Sequence, residues 1–311
     1  MAKVLCIGDS CADIIIPYGQ ALNGEDVSAY FNCGGACANT AAALAKLGVS
    51  TAFIGRVGKD LYGLKMKEEL DNCGVDTKHM IVDENSVSTQ ILVVLDKNGE
   101  RTPFLIPKEK PSYLEIYPED LHLDPDTQYI VTNGMMLFDE SAASDITDFL
   151  VKAKDNGIKI ILDLNYRIET KNKDRKYLDK VVSITNILLG SVEDDFLTYT
   201  ETNNLEDAFN KLLRPNLIMV AREAKGSTVK SECCSFYSET YEVDVVDTLG
   251  AGDAANAGFI YGLVNNVPLS CCNYYGCLLG AYCVTGKGAR YTPDTIELMQ
   301  FKTKDEQHIK N

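Results

Sequence analysis

From about residue 127 the chain alternates short apolar runs with amphipathic ones, and this rhythm constrains the fold more than any single residue does. Tyr129 to Thr132, Lys159 to Leu164, Asn186 to Leu189 and Leu217 to Ala221 read as strands. Ser141 to Asn156, closed by Gly157, reads as the helix between the first two. Strand, helix and strand repeated in this way need crossover connections, so the sheet is parallel and carries helices on its faces. A chain of 311 residues can bury a core of that size. It contains no internal repeat and no low-complexity linker, so one domain spanning 1–311 is expected.

The N-terminal part reads differently. Lys3 to Ile7 is a first strand, ending at Gly8-Asp9, and Cys11 to Tyr18 is a further extended segment. Ala36 to Leu47 is an Ala-rich helix closed by Gly48. Ala52 to Val57 reads as one short strand, followed by a helix from Asp60, its N-cap, to Gly74. Val87 to Asp96 and Thr102 to Ile106 are strands joined by Lys97-Asn98-Gly99-Glu100, a hairpin signal. With the segments near 12–18 and 26–32 they make a small sheet projecting from the main body. Near the C-terminus, Cys271 to Thr285 reads as a helix, and the charged stretch Lys302 to Asn311 as a fraying end.

The stretch with the most chemistry is Val246 to Phe259. A strand-like run, Tyr241 to Val246, leads through Asp247-Thr248 into Gly250-Ala251-Gly252, and a helical pattern begins at Asp253. Free N–H groups at a helix start favour an anion, and small residues let a phosphate approach the backbone. A carboxylate beside such a site repels an anion, but it suits a base that removes a proton from an attacking hydroxyl. An ordinary strand-to-helix turn with Asp as a cap accounts equally well for a bare Gly-Ala-Gly-Asp. Other residues are just as ambiguous when read singly. Asp13 is a turn aspartate or a sugar-hydroxyl acceptor, and Asn39 is a satisfied core amide or a ligand contact beside Gly34-Gly35. Arg167, at the end of Asp163-Leu164-Asn165-Tyr166-Arg167, is a surface residue or a phosphate or carboxylate partner. Glu193, Asp194 and Asp195, directly after a strand, read as charge compensation at a helix start.

Taken together these strings resemble the PfkB-type, ribokinase-like sugar kinases over roughly 3–290. Asp247-Thr248-Leu249-Gly250-Ala251-Gly252-Asp253 resembles the family's C-terminal signature, with Leu249 and Ala255 where other residues are usual. Gly34-Gly35-Ala36-Cys37-Ala38-Asn39 is similar to the N-terminal sugar-binding motif, and Gly55 to Gly63 also fits. The text lies nearest the fructokinase and 2-keto-3-deoxygluconate kinase branch. The resemblance implies an α/β fold, a three-layer sandwich with a mostly parallel central sheet and a β-sheet lid built from about 12–33 and 86–108. It implies transfer of the γ-phosphate of ATP to a sugar hydroxyl with Mg2+. Asp253 is then the base, with Gly250, Ala251 and Gly252 in the anion hole, and Asp13, Gly34, Gly35, Asn39 and Arg167 hold the sugar. Ser191, Asp194, Lys225, Gly226, Gly250, Gly252 and Lys287 line the nucleotide, and Glu193 or Asp194 places the magnesium through water. Ala221 and Glu223 stand where the family usually has Thr and Gly, and an added acid there opposes a nucleotide's phosphates.

Charge and cysteine content narrow the alternatives. With 45 acidic against 30 basic residues the net charge is −15, which argues against nucleic acid or an anionic membrane as partner. The chain enters its first strand with no signal-peptide pattern, and no apolar run nears the ~20 residues of a membrane span, so a cytoplasmic protein is expected. The 11 cysteines show no zinc spacing and read as free thiols. A homodimer through the exposed lid edge is expected. Rival readings are a nucleoside kinase on the same scaffold, a catalytically silent sugar-binding protein, and a dinucleotide oxidoreductase. The last is disfavoured because no Gly-x-Gly-x-x-Gly follows the first strand.

Overall fold

The computed structural model describes residues 2–16, 29–95, 101–106, 111–166 and 170–308. In chain order the elements begin with β1 (Val4–Ile7), β2 (Cys11–Ile16), β3 (Tyr30–Gly34), α1 (Ala36–Lys46), β4 (Thr51–Ile54), β5 (Arg56–Gly58) and α2 (Leu61–Asn72). Then come β6 (Ile81–Asp83), β7 (Gln90–Leu95), β8 (Arg101–Leu105), β9 (Tyr129–Asn133), α3 (Glu140–Asp155), β10 (Lys159–Asp163), α4 (Lys176–Ile184) and β11 (Ile187–Ser191). The C-terminal third holds the one-turn α5 (Thr198–Thr200), α6 (Leu205–Leu212), β12 (Ile218–Glu223), β13 (Gly226–Lys230), β14 (Ser235–Glu239), α7 (Ala251–Val264), α8 (Leu269–Cys283) and α9 (Thr295–His308).

The central sheet has the order β14-β13-β12-β11-β10-β9-β1-β4, parallel from β4 to β12 and antiparallel at its β13–β14 end. Strands such as Val4–Ile7 and Tyr129–Asn133 are buried throughout, which is why they read as continuous apolar runs rather than alternating ones. Two apolar clusters cover the faces. One packs Leu44, Phe53, Phe259 and Leu278 against the sheet, the other Ile146, Leu162, Phe196 and Phe209. The chain leaves β1 toward β4 in one direction and, from β9, builds outward in the other. The β1–β9 boundary is therefore the switch point at whose carboxyl end open α/β sheets form sites.

A second, four-stranded sheet has the order β3-β2-β7-β8, with β2 and β7 parallel and the other pairs antiparallel. It joins the two segments expected to pair, although 17–28 and the hairpin turn 97–100 lie outside the described residues. Among the described residues no helix is long and apolar enough to cross a membrane. All 11 cysteines are free thiols, as their spacing suggested.

Four local expectations are corrected. The run Ala52–Val57 is two strands in different sheets. The bend falls at Gly55, where a Cβ would lie 2.6 Å from the Phe53 ring and 2.7 Å from the Gly8 carbonyl. Tyr241–Val246 is not a strand. The edge strand is Ser235–Glu239, and the valine-rich run beyond it joins no sheet ladder among the described residues; Val246 N donates instead to the Val284 carbonyl (2.8 Å), and Val245 and Val246 stay exposed. The helix expected from Asp253 starts at Ala251, two residues earlier than the side-chain pattern shows. The charged C-terminal stretch is helical to His308, continuing α9.

Candidate active site

The site is assembled where α1 and α7 converge. Gly250 caps α7 in the left-handed region (φ 79°), and a Cβ there would lie 2.3 Å from the Ala289 carbonyl oxygen. Asp247 fixes the same turn from below: its carboxylate accepts from Leu249 N (3.0 Å) and Gly288 N (2.9 Å). Ala251 N donates to the Thr248 carbonyl at 3.4 Å, while the next amides of the first turn have no intrahelical partner. Gly252 is exposed and lines the adjoining cleft.

Asp253 stands in that first turn. Asn39 Nδ2 donates to its Oδ2 at 2.8 Å, and Thr40 Oγ1 donates to its backbone carbonyl at 3.3 Å. Burial pushes the Asp253 carboxyl up from 3.8 to about 7. The Asp163 and Asp9 charges contribute to that rise, and the Asn39 hydrogen bond and the Arg222 charge oppose it. Asn39 is in turn oriented by Arg290, whose Nε donates to Asn39 Oδ1 (3.1 Å) and whose Nη2 donates to the Gly34 carbonyl (3.3 Å). Residues 34, 39, 253 and 290, distant in sequence, thus form one hydrogen-bonded chain.

Asp13 is buried on β2, and Gly34 faces it. A Cβ on Gly34 would lie 2.4 Å from Asp13 Oδ2, so the missing side chain makes room for the carboxylate. The amides expected to stand bare after Gly34-Gly35 are occupied. Asp9 accepts from Ala36 N (2.9 Å) and Cys37 N (3.2 Å), and from Asn133 Nδ2 (2.7 Å) across the switch point. Gly35 makes this possible with φ 103° and no side chain, since its Cβ would sit 2.4 Å from the Asp9 carbonyl. Arg167 lies outside the described residues.

A cleft of about 1260 Å³ opens between the β12–β13 hairpin and helices α7 and α8. Ser191, Lys225, Gly226 and Gly252 line it, with Val243, Val245 and Phe259 as apolar wall. Gly250 sits in the cap behind the cleft rather than on its wall, and Lys287 is exposed in the loop after α8. Glu193 and Asp194 are exposed and do not line the cleft. Asp195 turns inward instead, accepting from Ser191 N (2.6 Å), Ser191 Oγ (2.9 Å) and Tyr166 N (2.6 Å), and burial raises its pKa. Among the described residues no three His, Cys, Asp or Glu side chains converge to hold a metal ion. Ala221 is fully buried, so its missing hydroxyl leaves no gap, and Glu223 stands exposed at the rim near Tyr237.

Sequence reasoning missed Asp9, Asn133, Arg222, Asn256 and Arg290 as site residues. Asp9 had a signal in its place directly after the first strand. The rest are polar residues within apolar elements or loops, which nothing local distinguishes.

Fold and site together define an α/β protein that places a carboxylate in the first turn of a helix behind a bare glycine cap, against a mostly parallel sheet. The chain belongs to the pfkB family carbohydrate kinases, whose profile matches residues 1–296. It is 25% identical to a 5-dehydro-2-deoxygluconokinase of Geobacillus thermodenitrificans (strain NG80-2), over 98% of this chain and 93% of that one. It is 28% identical to a fructokinase of Vibrio alginolyticus, over 97% and 99% of the two chains. The structure of a double-mutant fructokinase from Vibrio cholerae O395, bound to fructose, ADP and potassium ion, superposes with a TM-score of 0.84 at 26% identity. It covers 97% of this chain and 98% of that one. The family expected from the motifs is thereby borne out, and with it a sugar kinase on a ribokinase-like fold.

Proposed function

We propose that this sugar kinase transfers the γ-phosphate of ATP to a hydroxyl of a fructose-like or 2-keto-3-deoxygluconate-like sugar. The observation that carries the proposal is the Asp253 carboxylate, held by Asn39 in the first turn of α7, one residue after the cleft-lining Gly252. The sugar lies between Asp13, Asn39 and Asp253, with its reacting hydroxyl toward Asp253. The nucleotide lies in the cleft, its base against Val243 and Val245 and its terminal phosphate at the amides of Gly252 and Asp253. Asp253 takes the hydroxyl proton as that oxygen bonds to the γ-phosphorus and the bond to the β-phosphate oxygen breaks, leaving ADP. The transition state is loose, so placement and amide hydrogen bonds matter more than the base. Mg2+, when bound, neutralises phosphate charge. It keeps most of its waters, so the exposed Glu193 and Asp194 near Ser191 suit contact through water and need no closed cage. The small sheet is the lid that excludes water from the phosphoryl group.

ADP release from ATP and Mg2+ across fructose, 2-keto-3-deoxygluconate, ribose, tagatose and several nucleosides tests this reading. One free sugar is expected to stand out. Turnover of nucleosides alone would replace the sugar with a nucleoside acceptor. The lid edge exposes Phe104, Leu105 and Ile106, and we propose it as the homodimer surface. Phe104→Lys is expected to move the sedimenting mass from dimer to monomer.

A further inference from the structure

Arg222, at the carboxyl end of β12, stands opposite Ser191 on β11 and Ser227 on β13. Its guanidinium reaches across to the start of α7: Nε and Nη2 lie 3.8 Å from where a Gly252 Cβ would be. Two buried or half-buried groups clamp it. Nη2 donates to Asp163 Oδ1 at 3.1 Å, and Nη1 donates to Asn256 Oδ1. Asn256 Nδ2 donates in turn to Asp163 Oδ2 at 3.0 Å, closing the triangle. Of the five guanidinium N–H donors, the Nε–H and the second hydrogens of both terminal nitrogens have no partner among the described residues. Arg222 also lines the cleft. The carboxylates of Asp9, Asp163 and Asp253 all bear on this corner, as their mutual influence on Asp253 shows. A polyanion entering here meets like charge unless a cation is aimed at it. Lys225, the other cleft-lining cation, is exposed at the rim.

We propose that Arg222 binds the terminal phosphates of the nucleotide, its clamp with Asp163 and Asn256 presenting the free edge of the guanidinium beside the first turn of α7. A planar fork suits two phosphate oxygens at once, and a clamped fork loses little freedom on binding. The proposal rests on the nucleotide reading above and adds to it the residue that offsets the acidic surroundings.

Calorimetric titration of adenosine, AMP, ADP and ATP at fixed Mg2+ tests it, on the wild type, Arg222→Gln and the double variant Asp163→Asn with Arg222→Gln. The double variant leaves no unpaired buried carboxylate, so it carries the test if Arg222→Gln does not fold. Expected is a loss of about 10–100-fold for ADP and ATP, as for hydrogen bonds to charged groups, with adenosine and AMP unchanged. Equal weakening of all four ligands, or unchanged ATP affinity, overturns the assignment of Arg222 alone. A wild-type chain that binds none of the four overturns the nucleotide reading and the Arg222 proposal with it.

Discussion

Asp253→Asn is expected to lower kcat by about 10²–10⁴-fold while leaving sugar and nucleotide affinity nearly intact. The amide keeps the size of the carboxylate and still accepts from Asn39 Nδ2, so geometry survives and only proton removal is lost. Wild-type kcat should rise about tenfold per pH unit below pH 7 and level off above it, because the carboxyl titrates at about 7 and works as a base only when ionised. That limb should vanish in the variant. Stability moves the other way. Between the ordinary value of 3.8 and about 7 the folded state holds a proton that the unfolded state has released, so wild-type stability falls as pH rises through this window. The variant lacks this cost. It should be more stable by about 1–2 kcal/mol at pH 8, a figure discounted because Asp253 is only half-buried, and equal to wild type below pH 4. Near-normal turnover in the variant, measured with the sugar that the panel selects, would remove Asp253 as the base.

Gly250→Ala and Gly252→Ala are expected to fail in different ways although they flank one residue. At Gly250 a methyl group meets the Ala289 backbone, with oxygen at 2.3 Å and Cα at 2.6 Å, in a left-handed conformation. The change should cost about 2–4 kcal/mol of stability, seen as an earlier denaturant midpoint. At Gly252 the nearest atoms are 3.8 Å away, an ordinary contact, and the residue is exposed in a helical first turn. Folding should be unaffected or slightly improved. Its kcat should nonetheless fall on the order of 10²-fold, because a methyl group there displaces the phosphate from the amides. Equal stability losses in the two variants would show that both glycines serve the turn rather than the ligand.

The legible and illegible parts of the site divide by range of interaction. Gly250, Gly252 and Asp253 sit within one turn of each other, so their spacing alone brings a bare backbone and an acid together. Asn39 was readable because α1 is otherwise apolar, yet its partner lies 214 residues on. The amides after Gly34-Gly35 looked free, because the residue that occupies them, Asp9, arrives from another strand. Three acids after β11 looked equivalent, and only the fold turns Asp195 inward and leaves Glu193 and Asp194 outside.

By itself the sequence determined the layered α/β architecture, the small second sheet and the family. Buried parallel strands, helix stripes and tight turns are set by neighbours a few residues apart, and several motifs keep one order along the chain. Tertiary structure alone decided that Tyr241–Val246 lines a cleft instead of joining a sheet ladder. It alone closed the Asp163–Arg222–Asn256 triangle and the Gly34–Arg290–Asn39–Asp253 chain. Such contacts depend on where separate strands and helices end in space. No local periodicity encodes that, because the same arginine or asparagine side chain is equally stable in water until a partner is folded against it.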